Sequence, residues 1–205
     1  MKVLLFSRNL PNIKLPQRDL IKHAHFTFIV DAISRACSHQ LVRHRMASYS
    51  QQSQRYVSMK NFPYIKPPSI GSKTFTLKFN GEQAKLSFDR LMNLIGESYE
   101  ELINLGVPKE DARFILPNAC STRIMFTMNG EELIHFLRLR TCNRAQWEIR
   151  EMAIEMLRLL RGSMPDVFNA VGPNCYYLGY CTEGEKSCGK QKEVREFFKK
   201  LGREE

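Results

Sequence analysis

HFTFIVDAISRACSHQLVRHRMASYSQQSQRY, residues 25–56, runs from an apolar segment through a mixed one into a stretch with almost nothing to bury. Residues 25–30 are rich in aromatic and β-branched types and read as a strand, after which Asp31 is placed to cap a helix reaching about Leu41. The polar stretch from Arg43 to Tyr56 starts where that helix ends. Strand, helix and polar segment in immediate succession predict a mixed α/β chain, and the polar segment is its candidate site.

That segment holds Arg43, His44, Arg45 and Arg55, three serines (Ser48, Ser50, Ser53) and three glutamines (Gln51, Gln52, Gln54), with no acid and no lysine. A merely solvated face would mix in acids and lysines. Guanidinium groups offer a rigid fork of donors that fits phosphate and stacks on flat rings. The serine hydroxyls can donate to phosphate oxygens, and a glutamine amide carries the donor and acceptor needed to read a base edge. The set suits an anionic ligand with a planar base, and nucleotide and nucleic acid both remain open.

Composition sets the frame around it. A chain of 205 residues with 43% apolar content can bury a core and is expected to form one domain. A formal charge of +10 points to anionic partners without choosing among them. No run of about 18 apolar residues is present, so no membrane span is expected. The start, MKVLLFSRNL, has too short an apolar run for a secretory segment, which predicts a cytoplasmic protein. In that reducing setting the six cysteines (Cys37, Cys120, Cys142, Cys175, Cys181, Cys188) read as thiols. Three of them, in CYYLGYCTEGEKSC, are separated by five and six residues, wider than the paired ligands of most structural zinc sites, and no metal is expected.

Further along, residues 74–79 alternate Phe75, Leu77 and Phe79 and stop at Asn80-Gly81, a strand with a turn signal. From about Gln83 to Leu105 the apolar residues recur at helical spacing and Gly106 supplies a stop. Pro108 opens a short helix through Asp111 and Arg113 that must end before Pro117. Residues 123–128 alternate as a strand, Asn129-Gly130 leads into a helix from near Glu131, and a long helix from about Ala145 to Leu160 closes at Gly162. Trp147 is read as core on that helix. The pattern predicts a single mixed α+β domain, with a mixed sheet flanked by long helices.

Arg43-His44-Arg45, seven further residues and then Ser53, extended to SQRY, resembles the signature of flavin-dependent thymidylate synthases. HFTFIVDAISRACSHQLV before it, ARFILP (112–117), TMNGEELIHFLRLR (127–140), AQWEIR (145–150) and the cysteine-bearing tail from Gly172 to Lys190 follow that family's order and spacing. The resemblance covers about residues 23–190, the expected domain, with 1–22 a divergent or shortened leader and 191–205 a charged tail. It implies a homotetramer with active sites shared between subunits, converting dUMP to dTMP. Methylenetetrahydrofolate would give the carbon and NADPH the reducing equivalents through FAD. No cysteine nucleophile is implied.

Carried over by position, Gln40, Arg43, Gln51, Ser53, Gln54, Arg55, Arg113 and Arg140 would hold dUMP, with Gln51 between nucleotide and flavin. Arg43, His44, Arg45, Gln51, Asn129 and His135 would contact FAD. Arg140 is the expected catalytic residue, since a permanently charged guanidinium beside the pyrimidine favours its deprotonated, electron-rich form. Either arginine of the pair Arg113 and Arg140, taken alone, would read as an ordinary surface ion pair. Ser53 has no Ser/His/acid arrangement around it and reads as a phosphate donor rather than a nucleophile. His23 and His25 read as structural.

The sequence departs from the family before the strand. Lys22 stands where members carry Glu, Asp19 where they carry Ser or Thr, and Gln17 where they carry His, while His23 is kept. Glu131 lies where some members place an Arg that reaches the flavin. These departures keep a second reading in view, a partial homologue that binds dUMP or FAD without methyl transfer. A basic nucleic-acid-binding module is a third, and no ordered nucleic-acid motif supports it.

Overall fold

The computed structural model describes residues 1–12 and 16–202, without the side chains of Gln17, Arg18 and Phe79. The protein is mixed α/β, and its chain divides into two compact units. The first comprises Met1–Asp31, Cys37–Ser50 and Ile124–Glu205; the second comprises Ala32–Ala36 and Gln51–Arg123.

In chain order the strands are β1 (Lys2–Asn9), β2 (His25–Ser34), β3 (Ala47–Gln51), β4 (Thr74–Phe79), β5 (Glu82–Ser87) and β6 (Ser121–Asn129). The helices are α1 (Gln17–His23), α2 (Arg35–Leu41), α3 (Phe88–Asn104), α4 (Lys109–Ala112), α5 (Gly130–Arg140), α6 (Trp147–Ser163), α7 (Pro165–Phe168), α8 (Asn174–Tyr177) and α9 (Gln191–Lys200). Four strands form a sheet in the order β1-β2-β6-β3, with β1 antiparallel to β2, and β4 and β5 form an antiparallel hairpin.

The core of the first unit follows from strand alternation. Phe26, Phe28 and Val30 on β2 and Ile124, Phe126 and Met128 on β6 are buried at every second position. Phe28 stacks on Phe126 at 5.7 Å between ring centroids. Helix α6 covers this core with Ile149, Met152, Ala153, Met156, Leu157 and Leu160. Its N-terminus is capped by the Gln146 side chain, which accepts from the amides of Glu148 and Ile149. Trp147 is only half-buried, so the helix packs chiefly through its aliphatic residues. Gly130 opens α5 against α1, where a Cβ would come within 2.4 Å of the Ile21 carbonyl oxygen.

In the second unit Asn80 and Gly81 both adopt positive φ, +49° and +85°, as a two-residue hairpin turn requires. Ser87 caps α3 by accepting from the Arg90 amide at 3.2 Å. Met92 and Tyr99 of that helix are buried with Met59, Phe62, Ala112 and Cys120.

Four elements differ from the sequence reading. Asp31 is not a cap: the chain stays extended to Ser34, interrupted at Ala32 with φ +57°, and the helix begins at Arg35. The helix expected from Gln83 starts at Phe88, because the Asn-Gly turn returns residues 82–87 along β4 with Leu86 opposite Phe75. The extreme N-terminus is a strand, whose pairing runs from Lys2 opposite Asp31 to Asn9 opposite His25. Its ladder supplies the order that its short apolar run alone does not announce. Residues 191–200, expected as a charged tail, form α9, which buries Val194 and Phe198. Buried Arg161 holds that end of the chain by donating to the carbonyls of Phe168, Val171, Phe198 and Leu201.

Candidate active site

In the first unit the segment after α2 forms a turn in which the His44 amide donates to the Leu41 carbonyl at 3.1 Å. The Tyr49 hydroxyl bridges the carbonyl oxygens of Leu41 and His44 at 2.9 and 2.7 Å, fixing that turn against β3. Buried in it, His44 turns its imidazole inward. Arg140 Nε donates to His44 Nε2 at 3.0 Å, and His44 Nδ1 lies 3.1 Å from Glu132 Oε1. Phe136 stands edge-on to the imidazole at 4.9 Å, and the His135 ring is 6.2 Å away.

Burial holds the His44 imidazole below its ordinary value, with Arg140 and His135 acting the same way and Glu132 opposing them. Burial likewise lowers the Arg140 pKa from its high normal value, which leaves the guanidinium charged at neutral pH. The fully buried Cys37 thiol is pushed up, first by burial and then by Glu148, against Arg140.

On the same turn Arg43 and Arg45 are exposed, and neither has an ion-pair partner among the described residues. Gln40 is half-buried one turn earlier. Asn129 caps α5 through Oδ1, which accepts from the Glu132 amide at 2.8 Å, and His135 is exposed on that helix. Two unpaired guanidinium groups, an imidazole and an amide with its Nδ2 donor still available form a donor set that fits the pyrophosphate and flat rings of a flavin dinucleotide.

The second unit carries the other half of the predicted residues. Gln51 is half-buried and donates through Nε2 to Thr122 Oγ1 at 3.3 Å. Ser53 Oγ accepts from the Arg55 amide at 3.1 Å, closing a small polar turn that includes the half-buried Gln54. Arg55 Nε sits 2.5 Å from Glu110 Oε2, and the Arg113 Nε donates to the Glu110 backbone carbonyl at 3.0 Å. Glu110 therefore organises two of the predicted arginines, one through its carboxylate and one through its main chain. Arg113 also lowers the pKa of Arg35, after burial as the larger cause, so a third cation stands nearby.

Sequence reading missed Glu132 and Glu110. The first had a signal: Glu132, Phe136 and Arg140 recur at intervals of four on α5. The second had none, because Arg55 and Glu110 are far apart in the chain. Of the departures from the family pattern, Lys22 and His23 are exposed on α1, and Glu131 is exposed in the first turn of α5. The Gln17 side chain lies outside the described residues.

A mixed α/β chain with two sets of planar cationic and amide donors is of the nucleotide-handling class. Residues 13–166 match the family model described as thymidylate synthase complementing protein. A flavin-dependent thymidylate synthase of Geobacter sulfurreducens is 48% identical over 191 residues, covering 92% of this chain and 78% of the relative. Proteins of the same name from Clostridium tetani and Thermococcus onnurineus are each 43% identical, over 87% and 89% of this chain and 74% and 75% of their own lengths. The chain belongs to the flavin-dependent thymidylate synthase family.

Proposed function

We propose that the protein catalyses reductive methylation of dUMP to dTMP, with methylenetetrahydrofolate as carbon donor, NADPH as reductant and FAD as cofactor. It acts in the cytoplasm as a homotetramer whose subunits share active sites. The observation that carries the reading is the Arg140 guanidinium, held by Nε on the buried His44 imidazole, in a chain of this family.

Arg55, Ser53, Gln54, Gln51, Gln40 and Arg43 hold dUMP, with Arg55 giving up its exposed contact to Glu110 in favour of the phosphate. Arg113 clamps the pyrimidine. Arg140 is the catalytic residue. Carbon 5 of uracil is a poor nucleophile while nitrogen 3 keeps its proton, and a fixed positive charge beside the ring stabilises the deprotonated form. Neither Cys37 nor Cys120 serves as a nucleophile: burial raises both thiols, the latter to about 12, which suppresses the thiolate a nucleophile needs. FAD supplies the redox chemistry when bound. Arg43, Arg45, Gln51, Asn129 and His135 would hold it, whereas His44, expected among its contacts, has both ring nitrogens engaged by Arg140 and Glu132. Among the described residues no helix is long and apolar enough to cross a membrane.

The test is the purified protein with FAD, NADPH, methylenetetrahydrofolate and dUMP. Formation of dTMP with dUMP-dependent NADPH oxidation is expected. Binding of FAD and dUMP without dTMP would convert the reading to that of a partial homologue. Light scattering that finds an active, flavin-loaded monomer would sink the shared-site arrangement.

A further inference from the structure

Glu132, Phe136 and Arg140 lie on one side of α5, and His44 enters between the two charged ends from the turn after α2. Arginine has no acceptor and keeps its proton, so the His44 Nε2 that receives Arg140 Nε–H must itself be unprotonated. The single ring proton then sits on Nδ1 and is donated to Glu132 Oε1. Tyr49 ties the His44 backbone, Phe136 packs on its ring, and Asn129 fixes the helix start that carries Glu132. No other hydrogen bond engages the Arg140 side chain among the described residues. Its two terminal nitrogens are left for a ligand.

We infer that Glu132 and His44 are positioning residues for Arg140: the neutral imidazole, anchored on Glu132, grips the guanidinium by its Nε edge and presents both terminal nitrogens to the substrate ring. The inference rests on the proposed reaction. It carries a pH consequence, since a protonated His44 would set an N–H and a positive charge against the Arg140 N–H. The charged and titratable groups facing the imidazole are Glu132, Arg140 and His135. Burial, with Arg140 beside it, disfavours the charged imidazole, and Glu132 is the group that resists this.

Two substitutions separate positioning from mere packing. In His44→Gln the amide oxygen reaches the place of Nε2 and can still accept from Arg140. The shorter side chain of His44→Asn reaches only the place of Nδ1, keeping a partner for Glu132 and none for Arg140. After FAD content and near-UV circular dichroism are matched, His44→Asn is expected to lose about 10–100-fold in turnover, the scale of a misplaced reacting group, with a smaller change in dUMP affinity. His44→Gln is expected to recover most of the loss. Equal losses in the two variants, or normal turnover in His44→Asn, would overturn the inference.

Glu132→Gln removes the group that stabilises the imidazolium, so the acidic limb of the turnover profile should move to lower pH; a limb that stays or rises counts against the relay. Nitrogen-15 spectra of histidine-labelled protein without ligands should show His44 as the Nδ1–H tautomer, assigned by its loss in His44→Gln, and an Nε2–H tautomer refutes it. If the wild type makes no dTMP, the reaction assignment fails, while the tautomer still decides the relay.

Discussion

Arg55 and Arg140 are each half of a polar pair, and the two pairs are built in opposite ways. In the second unit, Arg55 meets Glu110 with side chains 54% and 45% exposed; in the first, His44 and Glu132, behind Arg140, are 4% and 15% exposed. An exposed ion pair is worth about 0–1 kcal/mol, because water and salt compete with it. Glu110 can therefore surrender Arg55 to a phosphate at little cost. The buried relay has no such exchange open to it, since releasing His44 would strand its ring nitrogens out of water. The exposed pair suits binding, which must be reversible, and the buried one suits a charge that has to stay in place while the ring ionises.

The largest effect expected from breaking this contrast is at Arg140. Arg140→Lys keeps the charge but loses both the planar fork and the Nε donor to His44. Turnover should fall by roughly 10²–10³-fold, the scale of removing one preorganised stabilising donor, with a smaller loss of dUMP affinity. Normal turnover with weakened binding would make Arg140 a clamp only. Steady-state kinetics at matched FAD content decide between these.

Arg55→Ala tests the exchangeable pair. A hydrogen bond to a charged group contributes about 1.5–3 kcal/mol, so the KM for dUMP should rise roughly 10–100-fold while kcat changes little. A fall in kcat alone would contradict a phosphate role. Smaller again is Glu110→Gln, which removes the competing carboxylate and keeps the backbone carbonyl used by Arg113. It should tighten dUMP binding by a factor of up to about five, within the range of an exposed ion pair, and the gain should shrink as salt is raised. Calorimetric titration at two ionic strengths would show this, and weaker binding would mean that Glu110 orients Arg55 rather than competes for it.

The smallest effect on turnover is expected from Cys37→Ala with Cys120→Ala. Both thiols are buried and shifted upward, so the pair should leave dUMP-dependent NADPH oxidation near wild type while lowering the urea midpoint, since each removes packed volume. Loss of activity with the fold intact would restore a thiol mechanism.

Much of this was legible in the chain. The aromatic and β-branched residues of 25–30 announced a strand, Asn80-Gly81 a hairpin turn, and Asn129-Gly130 a helix start, because each depends on neighbours a few positions away. The chemistry of Arg43–Tyr56 was visible for the same reason: side-chain type fixes what a group can donate. Failures fell where a distant partner overrides a local preference. Residues 82–87 have the look of a helix start, and the register with β4 makes them a strand. The N-terminal apolar run is too short to be read alone, and pairing with β2 orders it.

Sequence by itself thus determined the fold class, the mixed helix and strand content and the kinds of ligand the polar segment can take, since these follow from composition and short-range spacing. Tertiary structure alone decided which of two adjacent glutamates matters, turning Glu132 to His44 and leaving Glu131 in solvent, and that Glu110 should hold Arg55. It also decided the proton on His44. A ring nitrogen takes its donor or acceptor role from the group packed against it, and the guanidinium that sets this one comes from far along the chain.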